Sequence, residues 1–454
     1  MKVLILGAGQ VGRTAAYHLS REPANDVTIV DTNEDVLRDL QDRLDVRTVA
    51  GSASHPSVLE AAGIAETDIL VALTSSDEVN MVACSIAHTL YRTPTRIARI
   101  RASEYTNHTK LFADGALAVD VWINPEQLVT EYIERLIHNP GALQVVDFAD
   151  GKVRLVGLRA LRGGLLVGQQ LRTLKDHMPH AEARIAAIWR DGRAIEPTGE
   201  TVVEEGDEIY FIAARDYIQR MMGEIRRTEE PVRRVVIAGG GNIGLRLASL
   251  LEKQYQVKLI ERDPKRARIA SERLENTIVL QGDAQDEDLL IEENIDSIDV
   301  FAALTNSEEA NVLSAMLARR LGARKVMALV NKPSYGELME NRSIDVVISP
   351  QTVTIGSLLA HVRRGDVVRV HSLRRGSAEA LETVVHGPAE QSRVAGRTVE
   401  QVALPEGASI AAIVRGEQVI IAHHDTVIEE EDHVIVMLVD PRKVEAVARV
   451  FQVE

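Results

Sequence analysis

The chain repeats itself. Gly7-Ala8-Gly9-Gln10-Val11-Gly12 returns as Gly239-Gly240-Gly241-Asn242-Ile243-Gly244, a shift of 232 residues, and each copy directly follows an apolar run, Val3 to Leu6 and Val235 to Ala238. Further pairs come in the same order. Gly51-Ser52-Ala53 matches Gly282-Asp283-Ala284, Ala72-Leu73-Thr74 matches Ala303-Leu304-Thr305, and Asp77-Glu78-Val79-Asn80 matches Glu308-Glu309-Ala310-Asn311, with the shift near 231. It then settles at 225, where Asp120-Val121-Trp122-Ile123-Asn124-Pro125 meets Asp345-Val346-Val347-Ile348-Ser349-Pro350, and Ile185-Ala186-Ala187-Ile188 meets Ile410-Ala411-Ala412-Ile413. Self-similarity over nearly all of 454 residues requires two copies of one architecture in tandem. The seam falls in Gly223–Pro231, a charged stretch closed by proline.

Each half divides again. In the first, Lys2–Leu6, Val27–Val30, Val46–Ala50, Ile69–Ala72 and Arg96–Ile100 read as strands, separated by helical periods such as Gln10–Arg21 and Asn33–Leu44. Strict alternation of strand and helix implies right-handed crossovers and a parallel sheet covered on both faces. Only 15 residues are aromatic (Phe 5, Trp 2, Tyr 8), so the core is built from Val, Ile, Leu and Ala, as such a sheet prefers. Beyond it, Leu143–Phe148, Val153–Leu158, Arg184–Arg190 and Glu208–Ala213 are close-spaced strands with a short helix near Val167–Leu174. The expected fold is α/β: two Rossmann-type parallel-sheet domains (1–140 and 232–365), each followed by a small α+β domain (141–225 and 366–454).

A lone G-x-G-x-x-G is weak evidence, but here strand, glycine turn, helix, second strand and acidic residue occur together twice. Gly7 and Gly239 permit the tight turn, Gly9 and Gly241 let backbone approach a pyrophosphate, and Gly12 and Gly244 let the helix pack on the sheet. Ala8, Gln10 and Val11, with Gly240, Asn242 and Ile243, complete the turns, whose helix N-termini offer unpaired N–H groups to an anion. At the end of the second strand, Asp31 and Glu261 are placed to accept the ribose hydroxyls, which favours NAD or an adenine mononucleotide over NADP. This holds more firmly for Asp31, because Arg262 beside Glu261 tolerates a phosphate. Ser52 and Asp283 follow the third strand near the adenine position, and Thr74-Ser75 and Thr305-Asn306 follow the fourth. On the fifth, alternation puts Arg99 and Arg101 on one face, able to meet phosphates, where the second copy has Leu329 and Asn331.

The rest of the sequence mostly excludes. A formal charge of −15, from 52 Lys and Arg against 67 Asp and Glu, lacks the basic stripe a duplex nucleic acid requires. No apolar run approaches a membrane span, the start Met1-Lys2-Val3-Leu4-Ile5-Leu6-Gly7 is too short for a signal peptide, and the one cysteine, Cys84, reads as a small buried hydrophobe; the expected location is the cytoplasm. His423-His424-Asp425 has no third metal ligand at fixed spacing, and Glu429-Glu430-Glu431-Asp432 repeats Glu204-Glu205-Gly206-Asp207 as a turn before the last strand. No Walker A sequence, nucleophile pair or Lys/Tyr pair is set for catalysis, so no catalytic or metal residue is assigned.

Gly7–Gly12, Val30-Asp31-Thr32, Thr74-Ser75-Ser76-Asp77-Glu78, Ala98-Arg99-Ile100-Arg101 and Ser372-Leu373-Arg374-Arg375-Gly376, in this order over the full length, closely resemble the TrkA family. Its members are peripheral NAD-binding regulatory subunits of bacterial Trk potassium uptake systems, built from tandem RCK (regulator of conductance of potassium) domains. The resemblance implies a homo-oligomeric ring on the cytoplasmic face of the inner membrane, held there by a membrane-embedded potassium-translocating subunit that it gates. NAD(H), ADP or ATP would occupy the glycine turns. Two other readings stay open: an NAD-dependent dehydrogenase, for which no general acid or base stands at repeat-consistent positions, and a nucleotide or redox sensor acting on a different partner.

Overall fold

The computed structural model describes all residues except 23–24, 113–116, 179–182, 227–229, 332–342, 363–366, 375–376, 388–390 and 453–454. Part of the seam (227–229), the expected boundary at 365, and Arg375 and Gly376 therefore lie outside the described residues.

The first parallel sheet comprises β1 (Lys2–Leu6), β2 (Asp26–Asp31), β3 (Arg47–Ala50), β4 (Ile69–Ala72), β5 (Thr95–Arg99) and β6 (Val121–Ile123), in the order β3-β2-β1-β4-β5-β6. All its pairings are parallel. The central strands are buried on both faces, Ile69-Leu70-Val71-Ala72 throughout, which is why they read as unbroken apolar runs. The order reverses between β1 and β4, and ligands of open α/β sheets bind at that switch point, beyond the carboxyl ends of the strands. The edge strand β6 escapes periodicity at three residues; Asp120, just before it, accepts from the backbone N–H of Arg96 (2.7 Å) and from its guanidinium (2.6 Å), fixing β6 beside β5.

Antiparallel strands follow: β7 (Ala142–Phe148), β8 (Val153–Arg159), β9 (Ala183–Arg190), β10 (Arg193–Ile195) and β11 (Glu208–Ala214), in the order β10-β9-β11-β8-β7. The short helices lie at Leu171–Thr173 and Leu174–His177, later than the sequence suggests, because Val167 and Gln170 instead bridge to Val203 and Val202. The pattern then repeats. The second parallel sheet holds β12 (Arg234–Ala238), β13 (Gln256–Glu261), β14 (Ile278–Gln281), β15 (Val300–Ala303), β16 (Lys325–Leu329) and β17 (Val346–Ile348), ordered β14-β13-β12-β15-β16-β17. The second antiparallel sheet holds β18 (Val367–Leu373), β19 (Ala378–Val384), β20 (Ala408–Arg415), β21 (Gln418–Ile421) and β22 (His433–Leu438), ordered β18-β19-β22-β20-β21.

The chain forms two compact units. In one, Met1–Val129 joins Pro350–Val362: the helix Pro350–Val362, contributed by the second half, buries Ile355, Leu358, Leu359 and Val362 with Ala15, Ala16 and Leu19 of the first. In the other, Thr130–Ser349 joins Arg363–Glu454. There the end of the helix Pro125–His138 docks on the second parallel-sheet module, with the His138 ring edge-on to Tyr255 (5.5 Å) and 3.2 Å from Gln254 Oε1. The second half thus hands its connecting helix to the first, and the end of the first half's connecting helix meets the second.

Within the second unit the two antiparallel sheets share one core. Phe148, Trp189 and Tyr210 from the first lie among Leu373, Ala378, Ala380, Ala411 and Ala412 of the second, large against small. Gln144 donates to the Ser372 carbonyl (2.8 Å), and Arg374 pairs with Glu208 (2.7 Å) beneath Trp189. The repeated acidic turns are structural. Arg190 reaches both carboxylate oxygens of Asp207 (2.8 and 2.9 Å), and Arg415 those of Asp432 (2.8 Å each), with both aspartates almost fully buried.

Candidate functional site

At each switch point the glycine turn is built alike. Gly7 and Gly239 adopt φ of +101° and +109°, which disfavour any side chain. A Cβ on Gly12 or Gly244 would stand 1.9 Å from the carbonyl oxygen of Gly7 or Gly239, so only glycine lets the helix start this close. Gly9 and Gly241 differ: at φ of −69° and −74°, a Cβ on either would meet nothing within 4 Å. Packing does not require glycine there; an approaching ligand would.

The helices that begin at these turns, Gln10–Leu19 and Asn242–Leu251, have no side-chain cap and no acidic residue in their first turn. Other helices of the same modules are capped by Asn33, Ser76, Asp263, Asp286 and Ser307. Uncapped N–H groups at the positive end of a helix suit an anion. Gln10 and Asn242 are exposed on that first turn, while Val11 and Ile243 are half-buried beneath it.

The acidic residues hold the turns. Asp31 accepts from the Ala8 N–H (2.6 Å) and the Asn33 N–H (2.8 Å), and Glu261 from the Gly240 N–H (2.7 Å) and the Asp263 N–H (2.8 Å). Each oxygen accepts one of these bonds, which leaves it capacity for a ribose hydroxyl. Thr74 and Thr305 are fixed by Asn80 and Asn311, whose Oδ1 accepts from the threonine N–H (2.9 and 2.8 Å) and hydroxyl (2.7 Å in both). Their Nδ2 groups donate to the carbonyls of Arg99 and Leu329 (2.9 Å each). These fully buried asparagines tie the loop after the fourth strand to the fifth. Sequence reasoning did not single them out, although their recurrence in both copies was the available signal.

In the second copy, Gly239, Gly241, Glu261, Asp283, Thr305 and Asn306 line one cavity of about 490 Å³, together with Arg262 and Arg266. Gly240, Asn242, Ile243 and Gly244, of the same turn, do not line it. In the first copy, Ser52 lies 3.1 Å from Ser54, oxygen to oxygen, and Arg13 folds back on the Ala8 carbonyl (2.9 Å).

Arg99 and Arg101 stand at the end of β5 and donate to the carbonyls of Thr74 and Ser75; Arg101 also faces Asp77 (3.7 Å) and Glu126 (4.0 Å). Both guanidinium Nε atoms are buried without a hydrogen-bond partner. Burial, then the charge of Arg101, pulls Arg99 below the ordinary arginine value. A phosphate arriving here would meet cations that now hold the loop by its carbonyls.

Among the described residues no cluster of His, Cys, Asp and Glu forms a metal site, and no helix is long and apolar enough to cross a membrane. Thr426 accepts the His423 N–H (2.9 Å) and the Glu400 N–H bonds the His424 carbonyl (3.1 Å), in an exposed turn. Cys84 is fully buried, and burial pushes its thiol up to about 12.

Family models match twice in tandem: the TrkA-N domain over 3–125 and 235–350, and the TrkA-C domain over 155–225 and 389–452. The chain is 55% identical over 453 residues to the Trk system potassium uptake protein TrkA of Halomonas elongata and 56% identical to that of Vibrio alginolyticus, covering 100% of this chain and 99% of each relative. The corresponding protein of Haemophilus influenzae is 49% identical over the same span. Among solved structures, the GsuK RCK domain superposes with a TM-score of 0.63 at 20% identity, covering 99% of this chain and 94% of that one. The GsuK channel bound to NAD gives 0.62 at 20% identity, over 99% and 78%. Matched end to end at this identity and by both domain models in both halves, the chain belongs to the TrkA family.

Proposed function

We propose that the chain is a regulatory subunit that binds NAD(H) or adenine nucleotides, ATP or ADP, in its two glycine-turn crevices. Through them it gates a membrane-embedded Trk-type potassium-translocating subunit from the cytoplasmic face of the inner membrane, as a homo-oligomeric ring. One observation carries the nucleotide reading: in both copies an uncapped helix N-terminus, a glycine with open space in place of a side chain, and a carboxylate on the turn meet at the switch point of a parallel sheet. The printed name of the end-to-end relatives, a component of a potassium uptake system, supports the transporter reading.

The residues fit a nucleotide without catalysing anything on it. Turn N–H groups hold the pyrophosphate, Asp31 and Glu261 orient the ribose, and Ser52 and Asp283 face the adenine. In the first crevice a phosphate oxygen competes with the Thr74 and Ser75 carbonyls for Arg99 and Arg101, so a more anionic ligand releases the loop these cations hold. Leu329 and Asn331 give the second crevice no such response. A ligand shifts an arrangement only by its difference in affinity between two states, about 1–3 kcal/mol of coupling per site, so several sites in a ring must act together.

NADH titration of the full chain tests the reading. Gly9→Val with Asp31→Ala abolishes binding to the first crevice, Gly241→Val to the second, and the chain with all three no longer restores potassium uptake to a deletion strain. Unchanged binding refutes the site, and stoichiometric NADH oxidation with a small substrate would establish a dehydrogenase instead.

A further inference from the structure

The two crevices also differ after the second strand. There the first copy reads Asp31-Thr32-Asn33-Glu34-Asp35-Val36 and the second Glu261-Arg262-Asp263-Pro264-Lys265-Arg266. The cations Arg262 and Arg266 thus replace Thr32 and Val36, and both line the cavity. The Arg262 side chain is 82% exposed, and its nearest acidic group is the Asp283 carboxylate at 3.8 Å, too long for a hydrogen bond. Arg266 donates its backbone N–H to Asp263 (2.8 Å), and among the described residues its guanidinium makes no ion pair. Glu261 is 8% exposed, lies under the turn, and has both oxygens on backbone N–H groups. Asp31 makes the same bonds from a more open position, and the residue after it is Thr32.

The charged groups lining the second crevice are therefore the two guanidiniums and the Glu261, Asp283 and Glu309 carboxylates, of which Glu309 lies on the helix after the fourth strand, whereas the first copy has Thr32 and Val36 in place of the arginines. An arginine directly after the second-strand acid is positioned for a phosphate on the ribose 2′-oxygen. A guanidinium binds such a group through paired N–H donors. Asp283, held by the Gln285 N–H (2.9 Å), stays at the adenine.

We infer that the second crevice selects a nucleotide bearing a phosphate on its adenosine ribose, the NADP(H) class, with Arg262 and Arg266 as specificity-determining residues. The inference rests on the nucleotide reading of this crevice. It makes the duplicated chain a reader of two nucleotide pools.

The test uses the full chain carrying Gly9→Val, which silences the first crevice, and follows NADH and NADPH binding by nucleotide fluorescence. NADPH binds about tenfold tighter than NADH. Arg262→Thr with Arg266→Val, the first-copy residues, removes that preference and leaves NADH affinity within about twofold. Equal affinities before the swap, or a swap that weakens both nucleotides alike, overturn the inference while leaving a nucleotide site in place. If neither nucleotide binds the Gly9→Val chain while the Gly241→Val chain still binds NADH, the nucleotide reading of the second crevice falls, and this inference with it.

Discussion

Gly9 and Gly12 are equal letters of one motif, and the structure gives them opposite jobs that substitution separates. At Gly12 a new methyl would sit 1.9 Å from the Gly7 carbonyl oxygen and 3.0 Å from its carbon, backbone that cannot swing aside. Gly12→Ala must push the helix Gln10–Leu19 off the sheet, an overpacking cost of about 1–3 kcal/mol, a large share of a typical stability of about 5–15 kcal/mol. At Gly9 the backbone is already in the extended region, φ −69° and ψ −173°, and a Cβ meets nothing. Gly9→Val changes stability by less than about 0.5 kcal/mol. It places two methyls where the proposed pyrophosphate would lie, costing two charge-assisted hydrogen bonds of about 1.5–3 kcal/mol each, a loss in affinity of at least about a hundredfold. Urea unfolding and NADH titration of both variants read the two effects. The reasoning is refuted if Gly9→Val destabilises as much as Gly12→Ala, or if it leaves NADH affinity in the first crevice intact.

Other consequences are as direct. His371 lies edge-on to Phe148 (5.2 Å) with Nε2 buried and unpartnered; burial, then the charges of Arg135 and Arg369, depress it to about 3, although Asp147 opposes them. The unfolded chain therefore takes up a proton near pH 6.5 that the folded chain refuses until about 3, so this residue's contribution falls by about 1.4 kcal/mol per pH unit as pH drops between these values. His371→Val, the residue of the first copy, flattens that slope in denaturation at a series of pH values; an unchanged slope counts against the burial argument. Removing the buried aspartate from either pair, Asp207→Ala or Asp432→Ala, costs about 1–3 kcal/mol, because Arg190 keeps Glu204 and the Val202 carbonyl and Arg415 keeps Glu429 and the Val427 carbonyl, and the two losses should be similar in urea unfolding. Cys84, its thiol pushed up to about 12, reacts with a thiol reagent only as the first module opens, so the rate of labelling rises with denaturant; fast labelling of the native chain contradicts its burial.

The parallel sheets were legible because their signal is local. An unbroken apolar run such as Ile69–Ala72 and a glycine turn after Leu6 need no distant partner to be recognised. Nearly every element the periodicity marked lies within a few residues of its observed bounds, the short helix near Val167–Leu174 being displaced as described. What sequence reading missed depends on partners far along the chain. β6 is too short for a period and exists because β5 offers it an edge. The placing of the helix Pro350–Val362 on the first core rests on an apolar face whose partner lies in the other half of the chain. At the site, the residues of the turns and strand ends were readable, but Asn80 looks like any polar residue on a helix. Its four hydrogen bonds across the end of the sheet identify its role.

The comparison between copies separates what the fold needs from what a ligand would read. Asn80 and Asn311, Arg190 and Arg415, and Asp207 and Asp432 are the same residues making the same bonds, and each sits where an unmet polar group would cost several kcal/mol. Asp31 and Glu261 differ by one methylene and still hold the same turn. The positions that change the charge of the crevices are of another kind: Thr32 against Arg262, Val36 against Arg266, Ser52 against Asp283, Arg99 against Leu329, Arg101 against Asn331. They lie at strand ends and first helical turns, where either residue is compatible with the backbone. Duplication within one chain lets those positions diverge without risk to the shared scaffold. These substituted positions therefore put cations at different strands, Arg99 and Arg101 at the end of the fifth in one copy, and Arg262 and Arg266 after the second in the other. Under the proposed nucleotide reading, ligands that carry their phosphates at different positions would match the two patterns. Two identical copies would report one concentration, whereas two divergent ones can report the balance between two nucleotides.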